Sequence, residues 1–315
     1  MEIMLDESEQ ELSNVLCVKD KDGRVAVMIG LLVTVFFENQ STNEVRKRVA
    51  DVAEDYIHLV HEHLRWTLPP KAKREYPINS ARTRRPREWL PNHPDGETWW
   101  FVFHGGEHGR AASAFYIEGF GPNFAGGLGY LQISFPLLWF AEPTAGTFPD
   151  YVLKLCRKIQ PLSGYAGLGV LESFDGYAQN EFQPVVKEIA ERFPGLEVES
   201  RTAHTLYLRK GIKGVNWLTI LGERWLKEMG GLDSLRARLG EPFGFYPYDG
   251  GAVIQAGPKP QIGDAQANRW PQHYVTLAKV LKKIQIKDHR PFHFGGPGRM
   301  DHEASKAWLF RFDGK

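Results

Sequence analysis

Residues 249–264 read DGGAVIQAGPKPQIGD. Asp249-Gly250-Gly251 has the composition of a tight hairpin turn. A short apolar strand follows, and Gly257, Pro258 and Pro260 stop it and steer the chain onward. An earlier stretch echoes this one. LQISFP at 131–136 is like VIQAGP at 253–258, and YVLKLCRKIQ at 151–160 is like YVTLAKVLKKIQ at 274–285. In both places a strand leads through a Pro-bearing loop into a helix, at a nearly constant offset, as an internal repeat would. Short apolar matches also arise by chance, so duplication and coincidence both stand.

Duplication predicts an α+β fold of two similar halves. Each half runs β-α-β-β-α-β, the split βαβ or ferredoxin-like order. The sheets are mostly antiparallel with helices packed on them, and an extra hairpin strand is inserted in the first half. The boundaries follow as an acidic arm over 1–22, an N-terminal half over 23–200 and a C-terminal half over 201–315.

Local patterns fill this frame. VAVMIGLLVTVFF at 25–37 is almost continuously apolar and β-branched, as a strand buried on both faces would be. Ser41 with Glu44 forms a capping-box pattern, and apolar residues from Val45 to Leu64 keep helical spacing, predicting a helix over 42–65. Strands are expected over 98–104, 111–118, 130–136, 165–171 and 214–221, with one or two more over 196–208. A hairpin is expected over 243–248 and 252–256, and a last strand over 292–294. Helices are expected over 148–160, 178–193, 225–239, 271–284 and 301–310. The segment 67–96 is rich in proline and basic residues, and reads as a long loop.

Composition narrows the function. The chain has 315 residues, with 39 Lys+Arg against 38 Asp+Glu and a net charge of +1. That balance argues against a non-specific DNA binder, which needs a basic excess, and equally against an acidic DNA mimic. Cys17 and Cys156 read as free thiols in a reducing compartment. The start MEIMLDESEQELS is acidic where a signal peptide is basic, and the 25–37 run is shorter than the ~20 residues a membrane helix needs. The expected location is the cytoplasm, with no membrane contact.

No catalytic motif is present: no G-x-S-x-G, Walker A, Rossmann glycine pattern, C-x-x-C or zincin helix. His58, His61, Glu62 and His63 lack metal-ligand spacing and read as a solvated helix end. His104, Glu107 and His108 flank a turn. His293, Gly295–Arg299, Asp301 and His302 form the best unspecific candidate for an anion or metal pocket, which a turn before a capped helix explains as well. The residues therefore assign no catalytic group, metal or cofactor. The basic loop, through Arg82, Arg84, Arg85 and Arg87, is a candidate for contact with an acidic partner.

Three pieces together carry a family resemblance. They are GVNWLTILG at 214–222 with Gly230-Gly231, IQAGPKPQIGD at 254–264, and the helix from Tyr274 with the closing WLFRFD at 308–313. The chain resembles bacterial type VI secretion immunity proteins directed against VRR-Nuc nuclease effectors, from about residue 25 onward and most strongly over 211–313. The resemblance implies a cytoplasmic protein that is not an enzyme and that binds and neutralises a cognate nuclease effector, without itself touching nucleic acid. Asn216, Trp217, Gln255, Gly257, Pro258, Pro260, Gly263 and Asp264 are then family-motif residues, structural or partner-binding. The rivals are a motif-poor hydrolase using the His and Asp residues near 289–302 and a small-molecule-binding ferredoxin-like module.

Overall fold

The computed structural model describes residues 16–141, 146–293 and 298–315. Eleven strands form one sheet: β1 (Val18–Lys19), β2 (Val25–Phe37), β3 (Trp66–Leu68), β4 (Tyr76–Pro77), β5 (Trp99–His104), β6 (Tyr116–Gly121), β7 (Gly129–Phe135), β8 (Ser163–Glu172), β9 (Leu218–Gly222), β10 (Gly244–Tyr248) and β11 (Gly251–Gln255). Nine α-helices are described: α1 (Asn43–Leu59), α2 (Pro86–Trp89), α3 (Phe148–Ile159), α4 (Gly176–Arg192), α5 (Arg201–Tyr207), α6 (Glu223–Glu228), α7 (Leu232–Leu239), α8 (Gln272–Leu281) and α9 (His302–Leu309). The strand order is β10-β11-β9-β8-β2-β7-β6-β5-β3-β4, with β1 on β2, and every strand pair is antiparallel.

The α+β class holds, but the sheet does not divide into two separate units. β8 pairs with β2 on one side and β9 on the other, so one sheet runs through both halves. The second half contributes three strands, β9, β10 and β11, among the described residues. The echoed stretches occupy matching places: β7 lies between β2 and β6, and β11 between β9 and β10.

β2 is the spine. Its successive side chains point to opposite faces of the sheet. Phe37 stacks on Trp99, and on the same side Tyr56 of α1 and Tyr151 of α3 both pack on Phe135. On the other side Phe36 meets His204 of α5, and Thr34 hydrogen-bonds to Glu199. Both faces are covered, which is why the 25–37 run is apolar with almost no alternation. Burying an aromatic side chain such as Phe135 contributes roughly 2–3 kcal/mol.

Several boundaries differ from expectation for local reasons. α1 is capped by Thr42, not Ser41, because Thr42 is extended and its hydroxyl accepts the Val45 N–H. Glu44 therefore reaches Arg48 rather than the cap. α1 also ends at Leu59, and His61–His63 forms a 3-10 turn. The 196–208 segment makes no named strand. Glu197 has a single parallel bridge to Gly169, and the chain then turns into α5. The second hairpin strand starts at Tyr116 rather than residue 111. The 67–96 loop carries β3 and β4 on the sheet edge, and α2. Residues 16–22 of the acidic arm are attached through the β1–β2 pairing; residues 1–15 lie outside the described residues. The expected strand over 292–294 also falls partly outside them, as does the 295–297 part of the candidate anion pocket; Phe292 and His293 are not in a strand.

Candidate functional site

The corner at 254–264 is held from inside. Gln255 Nε2 donates to the Gly257 carbonyl at 2.8 Å, and the Trp217 indole donates to the same oxygen at 3.1 Å. Gly257 has φ +83°, and a Cβ there would run into the His273 ring, so glycine is required for both backbone and space. Gly263 (φ +69°) lets the chain pass close to Pro271 and Pro194. Asp264 accepts from the Gln266 and Ala267 amides at 3.0 and 3.2 Å and faces Arg192 at 3.4 Å. These bonds outweigh the opposing effect of burial and hold its carboxyl below the ordinary value. Pro260 is buried and Pro258 exposed. Asn216 is fully buried; its amide donates to Glu197 at 2.9 Å, and its carbonyl receives the Trp217 N–H at 2.7 Å. The structure thus brings Asn216, Trp217, Gln255 and Gly257 into one joint. Gly263 and Asp264 form a second, against the end of α4.

The basic loop is placed elsewhere, over α1. Arg85 pairs with Glu54 at 2.5 Å and Arg87 with Asp51 at 2.8 Å. Arg82 lies on the Tyr76 ring and bonds its hydroxyl; Arg84 is exposed. Arg85 and Arg87 help line an open groove of about 810 Å³ between α1, α2 and α3, with Asp55, Leu59, Tyr151 and Lys158. Lys158 pairs with Asp55 there.

The opposite side of the sheet holds charges of another kind, in residues the sequence reading did not single out. Glu118, on β6, accepts four donors: Trp100 at 2.8 Å, Tyr130 at 2.7 Å, Tyr116 at 2.7 Å and Arg201 at 2.8 Å. Burial, then the Glu118 charge, raises both tyrosine pKa values well above normal, so both phenols stay donors. A second chain links Asn216 to Glu197, Glu197 to Lys213 at 2.7 Å, Lys213 to Tyr165 at 3.2 Å, Tyr165 to Glu199 at 2.9 Å and Glu199 to Thr34 at 3.0 Å. Lys213 also donates to the Val198 carbonyl at 2.6 Å and lies near the Trp308 ring. Burial raises the Glu199 pKa against the pull of Lys213.

His204 and His289 complete this side. His289 Nδ1 sits 2.6 Å from the Arg290 carbonyl, so it carries the proton, and Nε2 accepts. His204 Nδ1, 2.9 Å from that Nε2, is then the donor, and its Nε2 accepts the Ser200 N–H at 3.1 Å. Both rings are neutral in this network, in line with burial, which lowers His204 well below normal and His289 to about 4. Asp301 caps α9 by accepting the Ala304 N–H at 2.9 Å. His289 and Asp301 are therefore engaged structurally.

Between β5–β7 and the start of α5 lies a cavity of about 530 Å³. Glu118, Glu172, Glu199 and Arg201 line it beneath a rim that includes Trp100, Phe174 and Leu206. Burial pushes the Glu172 pKa up to about 7. A signal for these residues existed in the sequence. Glu118 and Thr34 each interrupt an apolar strand, and Glu197 and Glu199 alternate with Leu196 and Val198. A charge in such a place must be paired or hydrogen-bonded.

Among the described residues, no group of three or more His, Cys, Asp and Glu is arranged to hold a metal ion, and no helix is long and apolar enough to cross a membrane. Cys17 and Cys156 are free thiols.

The class of protein follows from comparison of this chain, with its antiparallel sheet, helices on both faces and motif-bearing corner, with known families: type VI secretion immunity proteins. The chain belongs to the TsiV family, type VI immunity for VRR-NUC, which matches residues 48–312. Among solved structures it is similar to the Pseudomonas aeruginosa T6SS protein PA0821, with 26% identity over 98% of this chain and 92% of that one and a TM-score of 0.86. A search of curated proteins gives no match.

Proposed function

We propose that the protein is a cytoplasmic antidote without enzymatic activity, which binds a cognate VRR-Nuc-type nuclease effector in a stoichiometric complex and so neutralises it. Family membership over residues 48–312 is the observation that carries this reading. The ordinary composition and balanced charge support recognition by shape and local chemistry rather than by imitation of DNA. The exposed face of the basic loop, above all Arg82 and Arg84, is one surface for that contact; Arg85 and Arg87 are partly engaged by Glu54 and Asp51. The motif residues Asn216, Trp217, Gln255, Gly257, Pro258, Pro260, Gly263 and Asp264 act in this reading mainly by holding the scaffold. The strand orders β6-β7-β2-β8 and β10-β11-β9 support a duplicated split βαβ unit whose two copies share β8.

The test is co-expression with the nuclease effector encoded beside this chain. The expected result is restored growth and a complex that co-elutes at a fixed ratio. Continued killing together with separate elution would overturn the proposal.

A further inference from the structure

Three carboxylates line the cavity beside α5, Glu118, Glu172 and Glu199, with two cations, Arg201 and the exposed Arg290. Glu118 is neutralised by Arg201, and Glu197 and Glu199 face Lys213. Glu172 has no ion pair among the described residues; its hydrogen-bond partner is the neutral Gln183 amide at 3.2 Å. His293 lines the same cavity. Burial holds its pKa down at about 4, and its buried Nε2 has no hydrogen-bond partner among the described residues. At the mouth, Trp100 is 38% and Leu206 44% exposed. Exposed aromatic and aliphatic side chains around a concave polar floor are typical of an anchor site at an interface.

We propose that this cavity receives a lysine or arginine side chain of the nuclease, seated on the Glu172 side of the floor and covered by Trp100 and Phe174. The proposal rests on the antidote reading above. A carboxylate outside any ion pair and an aromatic face both favour a cationic N–H donor. A protein that cleaves DNA must meet phosphates with such side chains. One seated here is withdrawn from them, so the chain can oppose DNA binding without being acidic overall.

The experiment titrates the wild-type chain and four variants into that effector, made inactive in its catalytic residue, by calorimetry. Trp100→Ala is expected to weaken binding about thirtyfold or more. Glu172→Gln and Leu206→Lys are each expected to weaken it about tenfold. Asp233→Lys, at an exposed position of α7 outside both the cavity and the groove, is expected to leave it unchanged. Leu206 is exposed, and Glu172→Gln keeps the size and shape of the side chain, so loss of binding in these variants is not loss of fold; thermal unfolding of each variant checks this. Tight wild-type binding with all three cavity variants within about threefold of it would overturn the proposal and leave the antidote reading intact. No binding by the wild type would overturn both.

Discussion

The groove over α1 and the cavity beside α5 lie on opposite sides of one sheet, and both are lined with charge. In the groove, Lys158 and Asp55 are 48% and 59% exposed. Beneath the sheet, Lys213 and Glu197 are 2% and 3% exposed at 2.7 Å. The same kind of contact is worth different amounts in the two places. In water the attraction is screened and side-chain entropy offsets most of it. Under the sheet each charge has lost its hydration and depends on its partner. Charge on the groove side is therefore free to vary with little effect on folding, whereas on the cavity side it is built into the fold.

The sharpest way to break this comparison is to remove the cation from the buried pair. Lys213→Met leaves Glu197 with only the Asn216 amide and should cost about 3–5 kcal/mol of unfolding free energy. Chemical denaturation measures it. Adding Glu197→Gln removes the stranded charge and should recover a substantial part of the loss. A cost below about 1 kcal/mol for Lys213→Met would mean that the pair behaves like a surface one.

Acid titration gives a second, smaller effect. Glu172 has its folded pKa raised to about 7 by burial. The folded state therefore holds a proton there that the unfolded state has released, and stability is lost as pH rises through about 7. His104, His289 and His293 are lowered to about 4, again mainly by burial; their contribution is present above the ordinary histidine value and is lost as pH falls toward 4. The two effects oppose each other between the two ranges, and three histidines outweigh one glutamate. Wild-type stability should thus fall from pH 7 to pH 5. Glu172→Gln should exceed wild type at pH 8 by on the order of 2 kcal/mol and converge with it near pH 5. Parallel pH profiles for the two proteins would contradict this assignment.

What the sequence disclosed follows the same division. Val25–Phe37 could be read at once because both faces are covered, so no alternation obscures it. The paired hairpin β10–β11 was legible from Asp249-Gly250-Gly251, and α9 from Asp301. The pairing of β8 with both β2 and β9 was not, because pairing partners on a strand buried on both sides leave no mark in its own pattern. Arg85 and Arg87 read as free basic groups, since the carboxylates they meet lie a helix away in sequence, at Glu54 and Asp51. The cavity was hidden for a similar reason: Glu118, Glu172 and Arg201 come from β6, β8 and α5 and converge only in three dimensions.

The groove supplies the smallest effects and the finest test. Arg85 meets Glu54 through two nitrogens, Nε at 2.9 Å and NH2 at 2.5 Å, and Glu54 is 14% exposed. Such a partly shielded contact with a guanidinium should show a coupling of about 1 kcal/mol in a double-mutant cycle with alanine at both positions. Lys158 and Asp55 make a single contact between flexible, exposed chains, and the same cycle there should give about 0–0.5 kcal/mol, falling further in salt. If the two couplings came out in the reverse order, burial would not be what ranks ion pairs on this side of the sheet, and the contrast between groove and cavity would need another cause.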